Sequence, residues 1–432
     1  MAAASLAPVD NEEFHQITDQ SQKHVNIALQ LDALPAELRR YMLLFLDLES
    51  LSALVHASPI YHAQYREDRE RILSQSVEYT APEEFIIRLF RSRNSEFKQD
   101  VAGFLQSYSG AKARQELTRE GPIDLKTAVE MARFYFTIVK PLANKFACTL
   151  LEKVAQEAAH PDVISEPDSR LSGSERARIT RSIYRLELYC VALHTDKWIE
   201  NLTGPEDTQA FLDTFEPWET EELFSFYNFT KGIYVNLIES VKSDIHPDNP
   251  RFDDQPRAPT PTGSFDIDNS PFTEEYVGSL VLKGIEFLHT TIFVITDHED
   301  LVSLVQENMM LNTCHLGGDL DFAGEHYQET RYTDGTERGE KMDNQTPMPF
   351  QGDERSDTPP LGWTTLWGEV YSSLFGREVP DALQPWGYIF WDASRLKSTG
   401  ALEMIERAMK NWTDPRDREA QRPYGWARDF ED

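Results

Sequence analysis

Apolar residues in this chain recur every third or fourth position over long stretches, the period of an α-helix face. The every-second-residue rhythm of a half-buried strand is nearly missing. In ERARITRSIYRLELYCVALHTDKWIE (175–200), Ile179, Ile183, Leu186, Cys190 and Leu193 share one helix face. Ser172 stands three residues before Glu175, the spacing of a capping box, and marks where that helix starts. LKTAVEMARFYFTIVKPLANKFACTLLEKVAQEA (125–158) is also helical, and Pro141 predicts a kink or break within it. RYTD (331–334) and YIFWD (388–392) are the short strand candidates. No repeat of 20–50 residues appears, which removes solenoids and propellers. The expected fold class is mainly α.

The chain has 432 residues, 40% of them apolar, with 24 Phe, 16 Tyr and 8 Trp. That is enough apolar surface for a real core, in two or three domains or one large one with appendages. The formal charge of −31 argues against nucleic acid, whose binders need a basic footprint to release counterions. It argues equally against an anionic membrane surface. The most lipid-like stretch, LVLKGIEFLHTTIFVI (280–295), is short and is interrupted by Lys283, Glu286 and His289. The first residues, MAAASLAPVDNEEF, lack the basic flank and apolar run of a secretory signal. Three widely spaced cysteines, Cys148, Cys190 and Cys314, fit reduced thiols. A cytoplasmic or nuclear location is expected.

Two segments leave the helical register. Residues 243–271 carry six Asp against two Arg, and residues 317–360 carry eleven Asp and Glu against four Lys and Arg. Both read as long acidic loops. Residues 1–30 read as a flexible leader and 411–432 as a charged tail. The block 362–396 is dense in aromatics. Leu366, Val370 and Leu374 fall on one helix face there, with Trp363 and Trp367 alongside and Gly376 where a helix would end. Trp386, Tyr388, Phe390 and Trp391 follow. Such density is either core or an aromatic recognition surface, and core is the commoner outcome.

The search for chemistry is mostly negative. There is no GxSxG elbow, Walker loop or GxGxxG turn. Cys190 and His194 lie one helical turn apart, but their apolar neighbours favour buried filler over a reactive pair. His315, Asp319, Asp321 and His326 have the residue types of a metal site. Measured from Asp319, however, Ala323 and Thr330 occupy positions where a calcium loop needs oxygen ligands. FDIDNSP (265–271) fails the same template, with Pro271 at the glycine position. No zinc-ligand spacing is present. Neither a cofactor nor an enzymatic activity is expected.

The segment LDALPAELRRYMLLFLDLESLSALVHASPIYHAQYREDRERIL (31–73) is the most apolar near the amino end. Pro35 can start a helix, and Glu37 sits in its first turn, where the helix dipole favours negative charge. Leu38, Met42 and Phe45 mark one face, with Leu34, Leu43 and Leu46 widening it. A turn at Asp47–Ser50 leads to a second helix with Leu51, Leu54 and Val55, which stops by Pro59. A charged third helix runs through Tyr61, Tyr65 and Ile72. Three short helices cannot bury all these leucines among themselves, so some face the rest of the chain or a partner.

This segment resembles an F-box, in the variant found in filamentous-fungal proteins. The resemblance rests on Leu-Pro-x-Glu-Leu opening the first helix, Leu-Asp-x-x-Ser-Leu at 46–51, Leu54, and the Ser-Pro-x-Tyr turn at 58–61. The sequence departs from the wider pattern where Pro59 replaces a basic residue and Tyr61 or Tyr65 a tryptophan. The Trp-Gly-Tyr-x-Phe-Trp-Asp segment at 386–392 is also similar to the C-terminal region of such fungal proteins, and it carries no activity with it.

The resemblance implies a three-helix F-box-like bundle over 31–76, followed over 77–410 by a large irregular α-helical domain with the two acidic loops. It also implies a non-catalytic substrate adaptor of an SCF-type cullin–RING ubiquitin ligase, docked on a Skp-type linker, with the helical body holding an unidentified protein target. Leu34, Pro35, Leu38, Leu46, Leu48, Leu51 and Leu54 would form the linker-facing or bundle-core set. The alternative is a helical interaction scaffold outside the ubiquitin system, with 31–75 folded into the body.

Overall fold

The computed structural model describes residues 31–81, 123–157, 171–193, 211–245, 250, 270–308, 337–355, 358–410 and 412–414. The chain is mainly helical. Among the described residues the one β feature is an isolated antiparallel bridge, Pro347 to Val370. YIFWD forms turns, so it is not a strand, and RYTD lies outside the described residues. No described helix is long and apolar enough to cross a membrane. The chain divides into two compact units.

The first unit contains α1 (Ala36–Leu43), α2 (Leu48–Ala57), α3 (Pro59–Glu67), α4 (Arg69–Thr80) and most of α5 (Leu125–Phe134). Two local signals set the first boundaries. Asp47 caps α2 by accepting the Ser50 N–H at 2.7 Å, and Pro59 sits at the first position of α3 behind Ser58. The expected single third helix is two helices. Asp68, at φ −129° and ψ 36°, breaks it between Glu67 and Arg69. The core is Leu43, Leu48, Leu51, Val55, Tyr61, Ile72 and Val77, all at most 9% exposed. Two hydrogen bonds tie its edges: the Leu48 N–H donates to Thr80 Oγ1, and Ser74 Oγ donates to the Ile123 carbonyl, 2.8 and 2.7 Å. The bundle is therefore larger than 31–76, because residues 123–133 return to it.

The described part of the second unit begins at Phe134. The helix that opened at Leu125 continues through a π-turn (Tyr135–Val139) into α6 (Lys140–Glu157). Pro141 thus neither kinks nor breaks it in the expected way. A proline lacks the N–H for the helical bond and crowds the carbonyl four residues back. The wider turn just upstream, closed by Lys140 N–H to Tyr135 O, absorbs that conflict. Then come α7 (Gly173–Leu193), α8 (Pro217–Ile245), α9 (Ser270–Val281) and α10 (Gly284–His289). A second π-turn (Thr290–Val294) leads to α11 (His298–Asn308) and α12 (Glu337–Asp343). The last described helices are α13 (Leu361–Leu366), α14 (Ala393–Thr399) and α15 (Ala401–Lys410).

Helices α7 and α8 pack along each other at the centre of this unit. The Ser172–Glu175 capping box forms in both directions: Ser172 N–H to Glu175 Oε2 at 3.0 Å, and Glu175 N–H to Ser172 Oγ at 3.1 Å. Ile179, Ile183, Leu186 and Cys190 are buried, as their spacing predicts. The opposite face of α7 is buried as well, and it carries charge. Arg181 holds Glu222 through two bonds of 2.5 Å, and Arg185 reaches Glu219 at 2.6 Å. Arg178 donates to Asp392 at 2.9 Å and to Asp353 at 3.0 Å. Ser172 and Ser174 also donate to Asp392, and Arg395 pairs with Glu175. These bonds fasten the start of α7 to the C-terminal segment.

The aromatic block is core. Trp363, Trp367, Trp386, Tyr388, Phe390 and Trp391 are each at most 1% exposed. Phe146 sits among Phe226, Phe229 and Phe390 at centroid distances of 5.2, 4.9 and 5.3 Å. The expected helix through Val370 and Leu374 stops at Leu366, because Gly368 (φ 64°) and Glu369 (φ 58°) are left-handed and end it. Within the expected loop 317–360, residues 337–343 are helical.

Candidate partner-docking surface

The turn ahead of α1 is pinned in place. Arg39 Nη1 donates to the Leu34 carbonyl at 2.6 Å, Ser58 Oγ to Asp32 Oδ1 at 2.7 Å, and Tyr61 Oη to the Leu31 carbonyl at 3.1 Å. Leu34 and Pro35 are thereby held at the start of α1, with Pro35 at its N-cap. Along α1 the usual amphipathic arrangement is reversed. Leu43 is the helix's buried residue, whereas Leu38, Tyr41 and Phe45 are 52, 62 and 59% exposed. Leu38 and Tyr41, three residues apart, share a face of α1, and Phe45 stands in the turn just after it. The Tyr41 and Phe45 rings pack together in a tilted arrangement, centroids 4.7 Å apart. Burying a side chain of this size is worth about 1.5–3 kcal/mol, so each one left in water is an unused gain.

The seven residues expected at a partner surface divide three ways. Pro35 and Leu38 are exposed, Leu34, Leu46 and Leu54 are half-buried, and Leu48 and Leu51 are buried in the bundle's own core. The last two hold α2 against its neighbours and present nothing to solvent. Tyr41 and Phe45 stand outside the seven yet are the most open of the apolar side chains on this face. Their position three and seven residues after Leu38 is the signal that marks them. Arg40 adds a charge at the edge, bound to Asp68 at 2.6 Å.

The other candidate residues carry less. Cys190 is buried, its thiol pushed well up by that burial and then by the nearby Glu187 carboxylate, and its S–H donates to the Val281 carbonyl at 3.4 Å. That is the bonding of a structural cysteine. His194, the His315–His326 cluster and Asp266 and Asp268 of FDIDNSP lie outside the described residues. Among the described residues no group of three or more His, Cys, Asp and Glu is gathered as a metal site. Comparison with family models, curated proteins and solved structures finds no match to this chain.

Proposed function

We propose that this chain is a non-catalytic substrate adaptor of an SCF-type cullin–RING ubiquitin ligase. Its first unit docks on a Skp-type linker protein, and its second unit holds a protein target. The observation that carries this reading is the outward-facing Leu38–Tyr41–Phe45 cluster beside Leu34 and Pro35, in a segment whose sequence resembles an F-box. A cluster of aromatic and aliphatic anchors on a helix and the turn after it is the kind of patch that supplies binding energy in an interface. The adaptor acts by proximity: holding a target near the ubiquitin-conjugating enzyme raises the effective concentration of its lysines. No residue of the chain makes or breaks a bond in this reading, and the protein works in the cytoplasm or nucleus.

The test is capture of a purified Skp-type linker by the full chain and by Leu38→Asp combined with Phe45→Asp. Both positions are exposed, so the doubly substituted chain keeps its helical circular dichroism and its melting temperature. Its linker binding is lost. Equal binding by the two proteins defeats the proposal.

A second reading, a helical interaction scaffold outside the ubiquitin system, has one observation in its favour. Residues 123–133 return to the first unit, which makes that unit more than an appended motif. Failure of the unsubstituted chain to bind any Skp-type linker selects this reading.

A further inference from the structure

In the second unit, the large apolar side chains that stand most open to solvent among the described residues are two neighbours, Phe293 and Val294, at 41 and 61% exposure. Their local backbone accounts for this. Helix α10 ends in the π-turn Thr290–Val294, closed by a bond from the Ile295 N–H to the Thr290 carbonyl at 3.1 Å. Ile295 then turns extended, at φ −86° and ψ 120°. The wide last turn has no helical turn after it, so Phe293 and Val294 stand at its rim. The Phe293 ring leans back on His289, centroids 5.0 Å apart. Unlike the π-turn at 135–139, this one has no nearby proline to require it. Such turns often mark functional sites.

The chain on either side of this apolar spot is acidic. Glu286 is exposed on the preceding turn, and Asp297, Glu299 and Asp300 are exposed just after it, where Asp297 Oδ1 accepts the Glu299 and Asp300 N–H groups at 2.9 and 3.4 Å. Two basic groups lie among them: Lys283 is half-buried, and His298 is bound to Asp244 at 3.0 Å. Burial lowers the His289 pKa, which disfavours a positive charge on the ring beside Phe293.

We propose that the surface built by Phe293, Val294, His289 and the carboxylates of Glu286, Glu299 and Asp300 docks a partner segment in which an apolar residue is flanked by Lys or Arg. The apolar residue packs on Phe293 and Val294, and the flanking cations meet the carboxylates. Charge complementarity selects this occupant over an acidic one and makes its binding salt-dependent. Under the adaptor reading, on which this assignment of role rests, the segment belongs to the ubiquitination target.

The experiment uses the full chain and two fluorescein-labelled 12-residue peptides, with leucines flanked by Lys in one and by Glu in the other, read by anisotropy. The Lys-flanked peptide binds and the Glu-flanked peptide binds at least about tenfold more weakly, with affinity falling from 50 to 300 mM salt, by about the effect expected of several exposed charge pairs. Phe293→Ser with Val294→Ser weakens binding about tenfold, the loss of an apolar anchor. Glu299→Gln with Asp300→Asn flattens the salt dependence. Circular dichroism and melting, unchanged in both double variants, confirm folding. No binding by the unsubstituted chain, or equal binding by the Phe293/Val294 variant, overturns the proposal. So does a halved mass by light scattering in that variant, which would assign the surface to a second copy. Linker capture is scored separately: its absence defeats the adaptor reading and leaves the peptide result intact.

Discussion

Glu221 accepts the Gly376 N–H on one carboxyl oxygen at 2.6 Å, while its other oxygen, Oε1, is buried without a hydrogen-bond donor. Among the described residues no cation compensates the group as Arg181 compensates Glu222 beside it. Burial therefore pushes its pKa up to about 8, against the partial relief of the Gly376 bond. The Tyr388 hydroxyl, also buried without a hydrogen-bond partner, is raised by its own burial and then by the Glu221 charge.

A pH dependence follows. An unfolded glutamate loses its proton near 4.5, whereas this one keeps it in the folded chain until about 8. Between those values the native state binds the extra proton, so stability falls as pH rises through that window and levels off above it. The group's contribution is full below pH 4.5 and lost by about 8. Glu221→Gln removes the titration. Urea denaturation at pH 4.5 and 8 should show the variant gaining on the parent protein by about 4 kcal/mol across the interval. A constant difference at all pH values would show that the carboxyl does not titrate this way.

The clasp at the start of α7 makes a different prediction. Arg178 is 5% exposed and donates to the Phe390 carbonyl, Asp392 and Asp353. Arg178→Met leaves buried acceptors without their cation and should cost about 3–5 kcal/mol. Arg40→Met breaks the exposed pair with Asp68 and should cost under about 1 kcal/mol. Equal losses in denaturant titrations of the two variants would mean that the buried network contributes no more than a surface pair.

What the sequence makes legible is local. The capping box and the helical periods can be read from neighbouring residues, and both form. The misreadings share a cause: neighbours distant in the chain decide the outcome. Helix α7 reads as amphipathic from Ile179 to Cys190, but the carboxylates that meet Arg178, Arg181 and Arg185 come from α8 and from residues 353 and 392. A face rich in arginine therefore lies buried. Pro141 is ambiguous in sequence because a π-turn and a break both relieve the clash with the carbonyl four residues back. In the candidate docking surface the leucine motif falls on α1 and α2 and their connecting turn. Which of its residues point outward depends on where α3 and α4 sit, so Leu48 and Leu51 turn inward and Tyr41 outward.

That division within the motif is itself testable. Leu51→Ala opens a cavity in the first unit's core and should cost about 2–5 kcal/mol. Leu38→Ala, at a position half open to water, should change stability by about 0.5 kcal/mol or less while weakening linker binding. Thermal melts read beside linker capture separate the two roles. A large stability loss at Leu38 would place it in the core and remove it from the docking face.

Two glycines give the sharpest check on the packing of the second unit. A Cβ on Gly362, in α13, would stand 2.5 Å from the Tyr388 carbonyl oxygen, and backbone cannot swing aside as a flexible side chain can. Gly362→Ala should force α13 away from the aromatic segment, at about 1–3 kcal/mol or more. A Cβ on Gly232, exposed in α8, meets nothing within 4 Å. There the substitution removes only the entropic penalty of glycine in a helix, so Gly232→Ala should stabilise by about 0.5–1 kcal/mol. The same chemical change thus has opposite signs at two sites. Tryptophan fluorescence during urea unfolding reads both, because Trp363 and Trp367 flank the Gly362 contact. A harmless Gly362→Ala would mean that α13 does not lie against Tyr388, and the account of the buried aromatic block would have to change with it.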